Sequence, residues 1–142
     1  MAQFFPEGVD AATKDYCSIA NEHHFNRLKG ALEGAVSGGA EIVCGGETSK
    51  SGLYFSPAIL TGVGYNNPIM EEEIFGPILP IVKVKNLDES IRYINSNEKP
   101  LALYLFSNKT SVHKKVLKNT SSGGMAVSYT HLRCRRCSRC RS

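Results

Sequence analysis

Two short, mostly apolar runs dominate the second half of the chain: Ile78-Leu79-Pro80-Ile81-Val82-Lys83-Val84, and Leu101 through Phe106. Strands of this composition belong in a sheet covered on both faces. Between them, Asn86-Leu87-Asp88-Glu89 opens a helix with a capping-box-like Asn86/Glu89 pair, and Leu87, Ile91 and Ile94 form its apolar face. Pro100 closes that segment. Ser111 to Asn119 reads as a second helix with Val112 and Val116 inward, and Ser121-Ser122-Gly123-Gly124 turns into a third strand starting at Met125. Strand, helix, strand, helix, strand with short links is the pattern of a parallel sheet with flanking helices. The expected class is α/β.

The first half is less regular. Residues 1–20 hold Pro6, Gly8 and a polar run and read as a lead-in. Asn21 is placed to cap a helix whose apolar stripe is Phe25, Leu28, Leu32 and Val36, ended by Gly38-Gly39. A strand is expected at Glu41–Cys44, then a Gly45-Gly46 turn and a loop through Gly52. Tyr54 to Leu60 reads as one strand that Pro57 demotes to an edge or a bulge, because proline donates no ladder hydrogen bond.

Charge excludes some functions. The 142 residues carry a formal +4, but Arg133, Arg135, Arg136, Arg139 and Arg141 account for five of the 17 basic residues. Residues 1–132 hold 12 Lys+Arg against 13 Asp+Glu, so the body gives no electrostatic reason to expect a nucleic-acid partner. No apolar run reaches the length of a membrane span. The start, Met1-Ala2-Gln3-Phe4-Phe5-Pro6-Glu7, lacks the pattern of a signal peptide. With two body cysteines, Cys17 and Cys44, a reducing, cytoplasmic compartment is expected.

The segment richest in chemistry is Met70-Glu71-Glu72-Glu73-Ile74-Phe75-Gly76-Pro77. From composition alone, three acids before Gly-Pro make a solvated turn. The order of residues, however, resembles the Glu-Ile-Phe-Gly-Pro signature of aldehyde dehydrogenases. Ile19-Ala20-Asn21-Glu22-His23-His24-Phe25-Asn26-Arg27-Leu28 resembles that family's Asn-Glu-X-His-Phe-X-Arg-Leu helix, and Tyr54-Phe55-Ser56-Pro57-Ala58-Ile59-Leu60 its strand before the signature. Asn97-Glu98-Lys99-Pro100-Leu101-Ala102-Leu103-Tyr104-Leu105-Phe106-Ser107 and Thr120-Ser121-Ser122-Gly123-Gly124 resemble the class-3 branch. The resemblance runs in order from about Phe4 to Met125. It implies the C-terminal half of the catalytic domain of an enzyme that oxidises aldehydes to carboxylic acids with NAD or NADP, and class-3 relatives suggest a homodimer.

The resemblance also implies roles. Glu73 would accept hydrogen bonds from the nicotinamide ribose diol, since an ionised carboxylate suits two neighbouring hydroxyls. Phe75 would lie beside the nicotinamide ring and limit its positions by shape and dispersion. Gly76-Pro77 would fix the turn that presents both. No catalytic residue is assigned. The family's nucleophilic Cys, in a Gly-Gln-X-Cys context, and its general-base Glu, in Glu-Leu-Gly-Gly, do not occur in this sequence. Cys17 and Cys44 lack that context and are expected to be packing cysteines. His23, His24 and His113 lack ligand spacing to one another and are read as surface or helix-lining side chains, with no metal expected.

Two parts of the chain are therefore expected: a partial catalytic domain at 1–125 and a separate, disordered tail at 126–142. The tail carries a Cys134-Arg135-Arg136-Cys137-Ser138-Arg139-Cys140 run. An iron–sulfur cluster would need a fourth cysteine soon after, and none follows. Ala126-Val127-Ser128-Tyr129-Thr130-His131-Leu132 resembles the conceptual translation of a sequencing transposon-end adapter, which makes the tail foreign to the family. Two rivals to the enzyme fragment stay in view: a small basic binding module acting through the Arg/Cys tail, and a standalone non-catalytic derivative of the fold.

Overall fold

The computed structural model describes residues 16–128, which divide into two compact units after Lys83. The first unit opens with α1 (Glu22–Ser37), where the Asn21 side chain accepts the His24 backbone N–H at 2.8 Å. One face of α1 buries Phe25, Leu28, Leu32 and Ala35. Val36, expected on that stripe, is instead 44% exposed. In the last turn of α1 the core lies against Ala35, which is fully buried. There the Ala35 carbonyl accepts both the Ala40 N–H and the Asn67 side-chain amide, each at 3.0 Å.

The sheet of this unit joins β1 (Glu41–Cys44), β4 (Ala58–Thr61) and β5 (Ile78–Pro80). The β1–β4 pair is antiparallel with an irregularity between Ile42 and Cys44, and the β4–β5 pair is parallel, Ala58 opposite Ile78. The expected single strand from Tyr54 to Leu60 is cut at Ser56-Pro57. Its first part, β3 (Tyr54–Phe55), makes a hairpin with β2 (Thr48–Ser49), a pair not foreseen from the sequence. Its second part, β4, is the central strand of the sheet and not an edge. Proline ends one ladder and starts another without sitting inside either, because the Ser56 and Ala58 N–H groups on its two sides bond to Glu47 and Pro77. Gly45 makes the crossing possible. It has φ +69°, and a Cβ there would lie 1.8 Å from the Pro57 carbonyl oxygen.

The core between α1 and this sheet includes Phe55, Leu60, Val63, Ile69 and Ile78. Phe25 and Phe55 meet edge to face at 6.2 Å. Buried Asn67 is satisfied on both ends: its amide serves Ala35, and its oxygen caps a short 3-10 turn at Pro68–Met70 through the Ile69 N–H at 3.1 Å. The run from Ile78 to Val84 is not covered on both faces among the described residues. β5 buries Ile78, whereas Leu79 is 58% and Ile81 46% exposed.

The second unit holds α2 (Leu87–Ser96), β6 (Ala102–Phe106), α3 (Thr110–Asn119) and β7 (Gly124–Ser128). Asn86 caps α2 through the Glu89 N–H at 3.0 Å, while the Glu89 carboxylate reaches back to the Lys85 N–H, one residue before the cap. β6 and β7 pair in parallel from Ala102–Gly124 to Phe106–Ser128. The α/β class and its partial parallel sheets with flanking helices are as expected. The three apolar segments do not form one ladder, however, since β5 bonds to β4 and β6 to β7. β6 is also not buried on both faces: Tyr104 and Phe106 are exposed. β7 takes in the strand expected to start at Met125 and runs through Ala126 and Val127 to Ser128. The remainder of the expected tail lies outside the described residues. No helix among the described residues is long and apolar enough to cross a membrane.

Candidate cofactor-binding loop

The loop from Glu71 to Pro77 is fixed at both ends. Upstream, the Asn67-capped turn returns the Met70 and Glu71 N–H groups to Asn67 and Pro68. Downstream, the Pro77 carbonyl accepts the Ala58 N–H at 2.8 Å and hands the chain to β5. Between these anchors Glu71, Glu72, Glu73 and Phe75 are exposed, with the Phe75 ring three-quarters so.

The middle of the loop rests on α1. The Arg27 guanidinium donates to the Glu73 carbonyl at 3.3 Å and to the Ile74 carbonyl. The His24 ring meets the Phe75 carbonyl through Nε2 at 2.7 Å. A carbonyl only accepts, so Nε2 carries the hydrogen, and Nδ1 faces the Arg27 Nε donor at 3.4 Å. The His24 and Phe75 rings stand edge to face, 6.1 Å apart. Phe75 has φ +44°, a left-handed conformation that disfavours any side chain by about 1–2 kcal/mol. Gly76 then passes so close to α1 that a Cβ would sit 2.4 Å from a Leu28 methyl, and Leu28 is fully buried and has no room to yield.

Glu73 and Phe75, the two residues singled out from the sequence, therefore share one exposed loop two residues apart. His24 and Arg27, half-buried, were not assigned a role there. Their i, i+3, i+4 spacing with Leu28 puts all three on one flank of α1, a signal available in the sequence once Leu28 is taken as core. Cys17 and Cys44 are both exposed free thiols, contrary to the expected packing role. Both sit where the chain has little around it: Cys17 before α1, Cys44 at the end of β1, all four of whose residues are exposed. His23 is exposed, and His113 lies half-buried with its Nε2 against the Ser107 carbonyl at 2.7 Å. No group of three His, Cys, Asp or Glu side chains among the described residues could hold a metal ion.

The sequence profile of the aldehyde dehydrogenase family matches residues 7–133. The chain belongs to the aldehyde dehydrogenase family. It is 51% identical over 122 residues to aldehyde dehydrogenase family 3 member A2 of Rattus norvegicus, covering 86% of this chain and 24% of that protein. It is 46% identical over 121 residues to the dimeric NADP-preferring aldehyde dehydrogenase of the same species, covering 84% of this chain and 26% of that one. The substrate-bound state of Staphylococcus aureus AldH superposes with a TM-score of 0.82 at 38% identity, over 89% of this chain and 27% of that chain. The chain thus spans about a quarter of the length of these relatives. The family match covers the body of the chain, and a binding module acting through the basic tail is not favoured.

Proposed function

We propose that this chain supplies the nicotinamide-ribose clamp of an aldehyde dehydrogenase, with Glu73 and Phe75 as its cofactor-contacting residues. The observation that carries it is the loop itself: a carboxylate and an aromatic ring, two residues apart, held out to solvent on a backbone anchored at both ends. The side chains fit the group. Glu73 forms no ion pair or side-chain hydrogen bond among the described residues, so both oxygens can accept from vicinal hydroxyls. Phe75 touches His24 by an edge and leaves ring surface for a flat heterocycle.

A nicotinamide cofactor, NAD or NADP, supplies the hydride acceptor when bound. Glu73 orients the ribose, and through it the angle at which the ring meets the substrate. Phe75 restricts the ring's lateral freedom. Alignment to near-attack geometry is the contribution of these residues to rate. The substrate is an aldehyde and the product its carboxylic acid. The full-length enzyme is a cytoplasmic homodimer, in keeping with the word "dimeric" in the name of one relative. The thiolate nucleophile and the general base lie in parts of the enzyme other than this sequence, and the tail at 126–142, with its Cys134–Cys140 run, is foreign to the family. Deleting that run should leave cofactor affinity unchanged.

In the full-length enzyme, Glu73→Gln should lower turnover by about tenfold to hundredfold, the loss of a charged hydrogen bond of roughly 1.5–3 kcal/mol, with aldehyde KM little altered. Unchanged hydride-transfer kinetics would remove Glu73 from the site. The 142-residue chain alone, incubated with a medium-chain aldehyde and NAD, should form no reduced cofactor. Turnover abolished by replacing Cys17 or Cys44 would overturn the assignment of the nucleophile elsewhere.

A further inference from the structure

We infer that Arg27 and His24 are positioning residues for the cofactor loop: they grip its backbone so that Glu73 and Phe75 keep their side chains free. This rests on the dehydrogenase reading above and goes beyond it. The three consecutive carbonyls at Glu73, Ile74 and Phe75 are all taken by these two side chains. Carbonyls that converge on one helix flank fix the orientation of the peptide planes between them, and with them the direction of each side chain.

The choice of acceptor is what separates positioning from charge balance. Three carboxylates, Glu71 to Glu73, lie in the loop beside Arg27. A guanidinium placed to offset their repulsion would pair with one of them. Arg27 makes no ion pair within 4 Å among the described residues and directs its donors to backbone oxygens and to the His24 ring. The carboxylate of Glu73 is thereby left available while its own carbonyl is held. A planar fork with several N–H groups can hold two successive carbonyls, which a lysine ammonium cannot match in geometry. His24 completes the grip. Its Nε2–H holds the Phe75 carbonyl, its Nδ1 faces Arg27, and its ring edge meets the Phe75 ring. The left-handed backbone of Phe75 is the conformation such a grip must maintain.

The test uses the full-length protein that carries this segment, with Arg27→Met, Arg27→Lys and His24→Phe. Three readouts are taken: KM for NAD or NADP and for the aldehyde, kcat, and the rate of cleavage after Glu73 by a glutamate-specific protease without cofactor. Arg27→Met should raise cofactor KM at least about tenfold, keep aldehyde KM within about twofold, and speed cleavage about tenfold. Arg27→Lys should recover part of both effects, and His24→Phe should give the same pattern at smaller size. If Arg27→Met does not fold, Arg27→Lys and His24→Phe carry the same comparison. Unchanged cofactor KM and cleavage, or cofactor and aldehyde KM rising together, would overturn the inference. If the unsubstituted protein binds neither NAD nor NADP, the dehydrogenase reading fails by itself, and cleavage alone then decides whether the pair holds the loop.

Discussion

The two units are built from similar pieces to different depths. In the unit from Tyr16 to Lys83, α1 lies on a sheet and a hairpin, and the buried apolar cluster includes Leu28, Phe55 and Leu60 with almost no exposure. In the unit from Val84 onward, Ile91 and Val116 are the buried apolar residues among those described, and β6 exposes Ala102, Tyr104 and Phe106 on one face. The first unit resembles a small domain with an interior. The second is a layer that buries less apolar surface per residue. The loop from Glu71 to Pro77 belongs to the first, where a packed helix gives it something rigid to rest on.

The contrast can be broken by core truncation. Leu28→Ala should destabilise the chain by about 2–5 kcal/mol, since a fully buried leucine leaves a cavity that its neighbours fill only in part. Val116→Ala should cost about 1–2 kcal/mol. Urea denaturation of both variants checks this, and equal losses would mean that the second unit is packed as firmly as the first. Next in size, Asn67→Ala should cost about 1–3 kcal/mol by stranding the buried Ile69 N–H and uncapping the turn at Pro68, while the Ala35 carbonyl keeps the Ala40 N–H. The exposed cap Asn86, replaced by alanine, should cost about 1 kcal/mol. A reversal of that order would place the more stringent polar contacts in the second unit. Tyr104→Thr on the open face of β6 should change stability by no more than about 0.5 kcal/mol while improving solubility.

The smallest effect concerns pH. Burial first, then Tyr54 and Cys17, raise the Tyr16 phenol above its ordinary pKa of 10.0, and its hydroxyl donates to the Phe55 carbonyl at 2.8 Å. A group that holds its proton more tightly when folded contributes fully below pH 10 and loses that contribution as pH rises through the folded value. Thermal unfolding followed from pH 9 upward should show a slight fall in melting temperature that Tyr16→Phe abolishes.

Local chemistry was readable in the sequence, and pairing at a distance was not. Asn21 and Asn86 were legible as caps because a short polar side chain before an apolar stripe has one geometric use. The parallel pairing of β6 with β7 followed from short links around a helix. The division of Tyr54–Leu60 was not legible, since it depends on which strands flank Pro57 in space. The loop residues Glu73 and Phe75 stood out by resemblance. The helix residues that hold them did not, because Arg27 lies 46 residues from the carbonyl of Glu73, and a backbone acceptor leaves no trace in residue type.

The left-handed Phe75 sets stability and use against each other. Glycine would adopt the same backbone without the penalty that a Cβ imposes there. Phe75→Gly should therefore hold or slightly raise the melting temperature while weakening nicotinamide binding, measurable on one sample by calorimetry and cofactor titration. A glycine would serve the fold here at least as well, so the contribution of the ring is to be read in binding rather than in melting temperature.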